Sequence, residues 1–568
     1  MNTVNIGATL ETIAAIGLLL FLVITYMWVA IRPQHKLPRN RARHQNWRLH
    51  FRMHPGAGMA ALPEIWWHWS KTAVYRKSRR SRPDLSRWQR MRHPRLHSVF
   101  IGRGQWRHAL RILAELHVLI LSPPRKGKTA FLARVLLRYP GPVVNTTVKA
   151  DIFKWTSKIR SKVGTIHCWN PQGIGGVEST FAIDPVDGCL DVETAIRRAN
   201  VLVGATSVGS VGERGGDNSA DWFQSKTADI LAGLLHAAAL LRADFRLVAF
   251  WVFEGTAGAE NALKQAEAHE MRASVHELEN SPAEKTRATF TMILHQILGF
   301  MAIPALAQCV LPRDGSAFDI EEFCRSMDTL YIITDSDQEQ SPLAPLNVLI
   351  LDEIKRKATA IGQKERGGRL IRPLGFLLDE VRQCAPAPLQ QWLASTGGIG
   401  LQIFAVFHGE SQMRSRWGAD QAQTIMDCCD VKILLPGITD AATLRNVSDA
   451  LGAVALHPKG NDVHSSYPIM DQGMIRAIPD CFGLIMRGNR FPVIARLPRV
   501  WYAYEYLWAK WFGGGTDVEL EPAQTYRDYR GPIQITIPAE WEIEQPTKTD
   551  IEPATQLDKE PGGEQEAA

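Results

Sequence analysis

The eight residues Ser122-Pro123-Pro124-Arg125-Lys126-Gly127-Lys128-Thr129 have the types and order that hold a phosphate chain. In such a loop the backbone N–H groups, with those of the helix start behind them, face phosphate oxygens. The Lys128 ammonium reaches the β and γ phosphates, and the Thr129 hydroxyl can ligate Mg²⁺. Ser122 stands where the pattern has its first glycine. A Gly-Lys-Thr triplet recurs by chance in long chains, so its surroundings carry the weight. An apolar run at 117–121 precedes it and a helical pattern begins near Thr129. The expected cofactors are ATP and Mg²⁺, with a fortuitous strand-to-helix turn as the bland alternative.

Hydrolysis also needs carboxylates at the end of a neighbouring strand, and two pairs compete. In Val348-Leu-Ile-Leu-Asp352-Glu353 the apolar positions 346, 349, 350, 354, 358 and 361 recur at helical spacing after Ser341-Pro342. This reads as a helix, with Asp352 and Glu353 as surface charges. In Leu374-Gly-Phe-Leu-Leu-Asp379-Glu380 a short apolar run follows Pro373, then a loop, a helix near 388–395 and another strand. That is the profile of a buried strand. Asp379 is therefore expected in the Mg²⁺ water shell and Glu380 at the attacking water, with a helix cap as the structural alternative.

The elements around these residues alternate between short apolar runs and helical patterns, at 117–121, 129–137, 142–146 and 165–169. Strand signals return at 329–334, 373–378, 401–407, 431–435 and 482–486. This rhythm predicts a mostly parallel sheet with crossover helices. Residues 186–310 are rich in Ala, Leu, Glu and Lys at helical spacing, which predicts an all-helical insertion. The fold class is α/β: a RecA-like P-loop NTPase domain with that insertion and an N-terminal transmembrane helix. The expected divisions are 1–31, 32–107, 108–185, 186–310, 311–512 and 513–568. The last is an acidic, Pro-containing tail with too few large apolar residues to fold alone.

Residues 13–31 contain no charge, and their only hydroxyls are Thr25 and Tyr26, enough apolar length to span a bilayer. Glu11 precedes the run and Arg32, Lys36, Arg39, Arg41 and Arg43 follow it, which argues against a cleaved signal and places the remainder in the cytoplasm. A buried core helix is the alternative. The formal charge of +7 hides an asymmetry: residues 32–107 carry nineteen Lys and Arg against Glu64 and Asp84. Trp66, Trp67 and Trp69 within this basic juxtamembrane region suit an interface with anionic lipid, nucleic acid being the rival partner. The eight cysteines include no C-x-x-C pair, which removes zinc-ribbon and thioredoxin-like readings and fits reduced thiols.

Several phrases taken in order resemble the type IV secretion coupling proteins, the TraG-like members of the FtsK/HerA motor superfamily. They are Ser122-x4-Gly127-Lys128-Thr129, Lys149-Ala-Asp151 with Thr156 and Arg160, Leu377-Leu-Asp379-Glu380, and Phe407-His-Gly-Glu-Ser411-Gln412 ending in Trp417-Gly418. The wording of the phosphate loop is similar to the actinobacterial branch. The resemblance implies a homo-hexameric ring on the inner membrane with ATP between subunits. It also implies secretion-channel partners and DNA or nucleoprotein cargo, such as a relaxase complex, engaged by the helical insertion.

Three positions depart from the family pattern. Ser122 replaces a glycine, and His408 stands where a strand-end Gln senses the γ-phosphate, so its charge would vary with pH. Ser395-Thr-Gly-Gly-Ile-Gly400 lacks the Arg that reaches a neighbour's nucleotide. Arg414 and Arg416, on the following loop, are either substitutes for it or plain surface arginines. Two other functions stay open: a nucleotide-binding cargo receptor with little hydrolysis, and a related DNA-partition or secretion ATPase.

Overall fold

Apolar runs without polar alternation cannot leave one face in water, and a parallel sheet covered by helices buries both faces. A computed structural model of the chain describes residues 17–23, 59–104, 107–206, 219–312, 318–335, 341–365, 367–456, 465–523, 525 and 533–538. The strands are β1 (Ser98–Arg103), β2 (Ala109–Leu113), β3 (Val118–Leu121), β4 (Val143–Thr147), β5 (Ile166–Trp169), β6 (Thr329–Ile333) and β7 (Leu374–Leu378). They continue as β8 (Leu401–Phe407), β9 (Val431–Leu434), β10 (Ala453–Leu456), β11 (Ser465–Pro468), β12 (Phe482–Arg487) and β13 (Arg490–Arg496).

Eleven of them form one sheet in the order β2-β1-β13-β12-β9-β3-β8-β7-β4-β6-β5, and β10 and β11 make a separate hairpin. From β9 to β5 every neighbouring pair is parallel, whereas β12, β13, β1 and β2 add an antiparallel edge. All residues of β3, β4, β6, β7 and β8 are buried. The expected mostly parallel α/β sheet is present. β3 lies between β8 and β9, with Leu121 opposite both Phe407 and Leu434, so three carboxyl-terminal strand ends meet at one level. Ligands of open parallel sheets bind at such ends.

The described part of the basic region is 59–104 and 107. It contains the helices Leu62–Trp69, Lys71–Ser81 and Arg87–Arg92 before β1. Trp69 is fully buried and joins the sheet core, whereas Trp66 and Trp67 are exposed. The three tryptophans are thus not one interfacial cluster. Of residues 13–31, only 17–23 are described; they are helical, with Leu18 to Val23 exposed, and the rest of the expected span lies outside the described residues. Among the described residues no single helix is long and apolar enough to cross a membrane.

Residues 514–518 lie along the helix Asp151–Arg160. The Thr516 hydroxyl donates to the Lys154 carbonyl at 2.6 Å, and Val518 and Leu520 pack on the core. Beyond 523 the expected tail is described only at 525 and 533–538.

The chain divides into two units: 1–182, 204–221 and 314–524 form the first, which carries the sheet, and 183–203, 222–313 and 525–568 the second. Among its described residues the second unit has helices and no strand, including Phe245–Glu254, Ala257–Gln265, His269–Asn280 and Glu284–Leu298. Leu231, Leu235, Phe245, Val248, Leu263, Val275, Phe290 and Leu294 form its interior. The Asp244 carboxylate caps the first of these helices by accepting from the Arg246 amide at 2.9 Å.

Candidate nucleotide site

The loop from Ser122 to Gly127 joins β3 to the helix Lys128–Leu136. The Ser122 amide donates to the Phe407 carbonyl at 2.9 Å, which ties the start of the loop to the end of β8. Ser122 is wholly buried. Gly127 has φ 90°, the left-handed region that glycine enters without a steric penalty, and this turn starts the helix. Arg125 also has positive φ, at 63°.

The second carboxylate pair lies against this loop. The Thr129 hydroxyl donates to Asp379 Oδ2 at 3.0 Å, and Lys128 Nζ lies 3.7 Å from Asp379 Oδ1 and makes a short ion pair with Glu380. Asp379 is fixed from β4, since its amide donates to the Thr146 carbonyl at 3.1 Å and its carbonyl accepts from the Thr146 hydroxyl at 3.2 Å. Glu380 is held at φ 51°, ψ 50°. For a residue with a Cβ this conformation costs about 1–2 kcal/mol, and such strain gathers where geometry serves chemistry.

His408 completes the cluster from the end of β8. Its Nε2 is 3.3 Å from Glu380 Oε2, its Nδ1 faces the Ser122 carbonyl at 3.1 Å, and its amide donates to Gln412 Oε1 at 2.8 Å. The structure therefore brings together Ser122, Lys128, Thr129, Asp379, Glu380 and His408, drawn from three segments of the chain.

The electrostatics suit a cation and an anionic tail. Asp379 is almost fully buried; burial pushes its carboxyl up from the usual range, the Lys128 ammonium opposes that, and Glu380 adds to it. Among the described residues its Oδ1 has no hydrogen-bond partner. A buried carboxylate oxygen left unsatisfied beside a threonine hydroxyl fits a hard divalent ion that takes one or two protein oxygens and completes its shell with water and phosphate. Among the described residues no cluster of three His, Cys, Asp or Glu could hold a metal ion.

The competing pair lies elsewhere. Asp352 and Glu353 sit on the helix Ala344–Lys364, as the spacing predicts, but they are buried rather than on the surface. They pair one turn on with Lys355 at 2.9 Å and Arg356 at 3.2 Å, whose ammonium and guanidinium offset the cost of burial.

Arg414 and Arg416 lie on the helix Glu410–Cys428, not on a loop. Arg414 pairs with Glu410. Arg416 is buried, donating to the carbonyls of Thr206 at 2.8 Å and Gly204 at 2.9 Å, so it is no surface arginine. Thr156 and Arg160 are structural too: Thr156 bonds the Tyr331 hydroxyl at 2.8 Å, and Arg160 donates to Thr329 Oγ1 at 2.8 Å and the Met327 carbonyl at 2.7 Å.

One residue at the loop escaped the sequence reading. Arg499, after β13, sets its guanidinium against Gly127, with Nε and Nη2 both 3.2 Å from the point a Cβ there would occupy. No motif surrounds it. Lys126 reaches Asp480 at 3.2 Å.

Residues 373–468 match the family model described as the TraM recognition site of TraD and TraG, a segment from β7 to β11 that includes Asp379, Glu380 and His408. No curated protein matches the chain. Among solved structures the chain is similar to the bacterial conjugative coupling protein TrwBdeltaN70 in its unbound monoclinic form. That match has TM-score 0.52 and 16% identity, covering 76% of this chain and 92% of that one.

The plasmid coupling protein TrwB in complex with ADP and Mg²⁺ gives TM-score 0.51 at 18% identity, over 68% and 85% of the two chains. TrwB in complex with a non-hydrolysable GTP analogue gives 0.51 at 18%, over 68% and 86%. At these identities the likeness is one of fold. The resemblance to type IV secretion coupling proteins is thus borne out in the matched segment and in the sheet architecture.

Proposed function

We propose that the chain is a membrane-anchored ATPase that couples ATP hydrolysis to recruitment and transfer of DNA or nucleoprotein through a type IV secretion or conjugation channel. The observation that carries the reading is the convergence of Lys128, Thr129, Asp379, Glu380 and His408 at the aligned strand ends. The matched TraM recognition segment supports the coupling role.

In the proposed mechanism the amides of 125–129 and the Lys128 ammonium bind the β and γ phosphates, and Thr129 Oγ1 with Asp379 would hold Mg²⁺, which would neutralise charge on the phosphates. Phosphate oxygens compete with Glu380 for Lys128. Glu380 thereby comes free to orient water and accept its proton. His408 holds the carboxylate from the other side and reports on the γ-phosphate. Residues 13–31 anchor the chain, and a homo-hexameric ring presents the helical second unit to a relaxase-type complex and to channel proteins.

Lys128→Ala removes the ammonium that pairs with Asp379 and Glu380 and is expected to abolish binding of a fluorescent ATP analogue to the full chain. Equal affinity of the variant and the natural chain would remove the phosphate-loop assignment and the function built on it.

A further inference from the structure

The Arg499 guanidinium touches the phosphate loop from a segment with no motif. The backbone holds it there: Leu497 and Val500 on either side are buried in the sheet core, and the Leu497 amide donates to the Cys481 carbonyl at 2.9 Å. The turn Val500–Tyr502 follows at once. The half-buried side chain can approach the loop backbone because position 127 has no Cβ; Nε and Nη2 stand 3.2 Å from where one would be. Gly127 thus does two things, admitting the left-handed turn and leaving room for a cation.

The neighbouring charges show what this cation is free to do. Lys126 is paired with Asp480, Lys128 with Glu380 and Asp379, and both Arg134 and Arg138 with Glu505. Arg125 is exposed. Arg499 has no carboxylate or hydrogen-bond partner for its guanidinium among the described residues, and the Trp501 ring lies 5.7 Å away. A guanidinium held on a loop whose amides point at an anion, with no counter-charge of its own, gains most from a phosphate oxygen, which it can meet with two N–H groups.

We infer that Arg499 is a phosphate-binding residue supplied by the same chain as the loop it touches, closing over the nucleotide's phosphates from the end of β13. The inference rests on the nucleotide reading above. It supplies from within the chain a positive contact distinct from the arginine that the 395–400 stretch lacks, and it makes the antiparallel edge part of the site.

The test is the affinity of the full chain in detergent for a fluorescent ATP analogue, measured where sedimentation shows monomer, for Arg499→Ala, Arg499→Gln and Arg499→Lys beside Lys128→Ala. Loss of a charge-assisted hydrogen bond to phosphate predicts weakening of about tenfold to a hundredfold for Ala and Gln and less for Lys, with the thermal midpoint unchanged for Gln. Gln keeps most of the side chain's length and serves if Ala unfolds.

Unchanged affinity in Arg499→Gln, with Lys128→Ala impaired, would overturn the inference and leave the nucleotide reading standing. No saturable binding by the natural chain would end both. A loss confined to concentrations where the chain self-associates would overturn the same-chain assignment.

Discussion

His408 stands between two acceptors: Nε2 faces the Glu380 carboxylate at 3.3 Å, and Nδ1 faces the Ser122 carbonyl at 3.1 Å. A neutral imidazole carries one N–H and can donate to only one of them, whereas imidazolium donates to both. His408 therefore places the end of β8 within hydrogen-bonding reach of both the phosphate loop and Glu380.

His408→Gln, which keeps a side-chain donor, should retain activity. His408→Ala should lower kcat more than nucleotide affinity. Steady-state kinetics on the three proteins check this, and an alanine variant with natural kcat would remove His408 from the chemistry.

Glu380→Gln should keep nucleotide binding and lower turnover at least about a hundredfold, because an amide cannot accept the proton of the attacking water. Glu353→Gln should stay within about a factor of two of natural turnover. Its Arg356 partner sits on a helix far in sequence from the loop, so its loss should show in the thermal midpoint instead. The reverse pattern in one ATPase assay would mean that the wrong carboxylate pair has been chosen.

Asp184 in the second unit gives a pH signature of stability. Burial pushes its carboxyl up to about 7, helped by Asp244 and Asp187 and opposed by the Val186 amide and Arg198. A folded value above the unfolded one means that the native state binds the extra proton. Its contribution is full below pH about 4 and is lost as pH rises through about 7. Asp184→Asn retains an acceptor for the Val186 amide, whose bond is 2.9 Å, and removes the charge. It should raise the melting midpoint at pH 8 and change it little at pH 4. An equal effect at both would show that the carboxyl is not protonated on folding.

With residues 13–31 as the anchor, a cysteine at Asn5 should react with an impermeant thiol reagent in intact cells, because the basic residues after the span stay inside. Reaction only after lysis would reverse the topology.

The phosphate loop and the Asp379-Glu380 pair were legible because each is a short contiguous phrase flanked by an apolar run, and the parallel register then brings them together. Burial of Asp352, Glu353 and Arg416 was not legible. Each is neutralised or hydrogen-bonded by partners whose distance only the fold sets, and charged side chains without such partners stay at the surface. β1 and β2 lie at and just past the end of the basic stretch, where Arg103, Arg107 and Arg111 break up the apolar runs. β13 carries Pro492, which argues against a strand interior except beside a bulge or edge, and a register shift does lie between Ile485 and Arg487 on its partner β12. Arg499 has no local signal because its chemistry exists only once β13 has been placed.

The order of strands in the sheet also fixes an order of birth. β3, made early, pairs through Val118 with Phe404 and Val431, and β1 meets β13 only at Arg103 and Arg496. Until residues beyond 401 emerge from the ribosome, the strand bearing the phosphate loop has both edges bare, while the helices of the second unit can already close on neighbours in sequence. Pairings this distant fold slowly and expose sticky strand edges meanwhile. Nascent chains arrested before residue 401 should therefore be chaperone clients, and those arrested beyond residue 500 far less so.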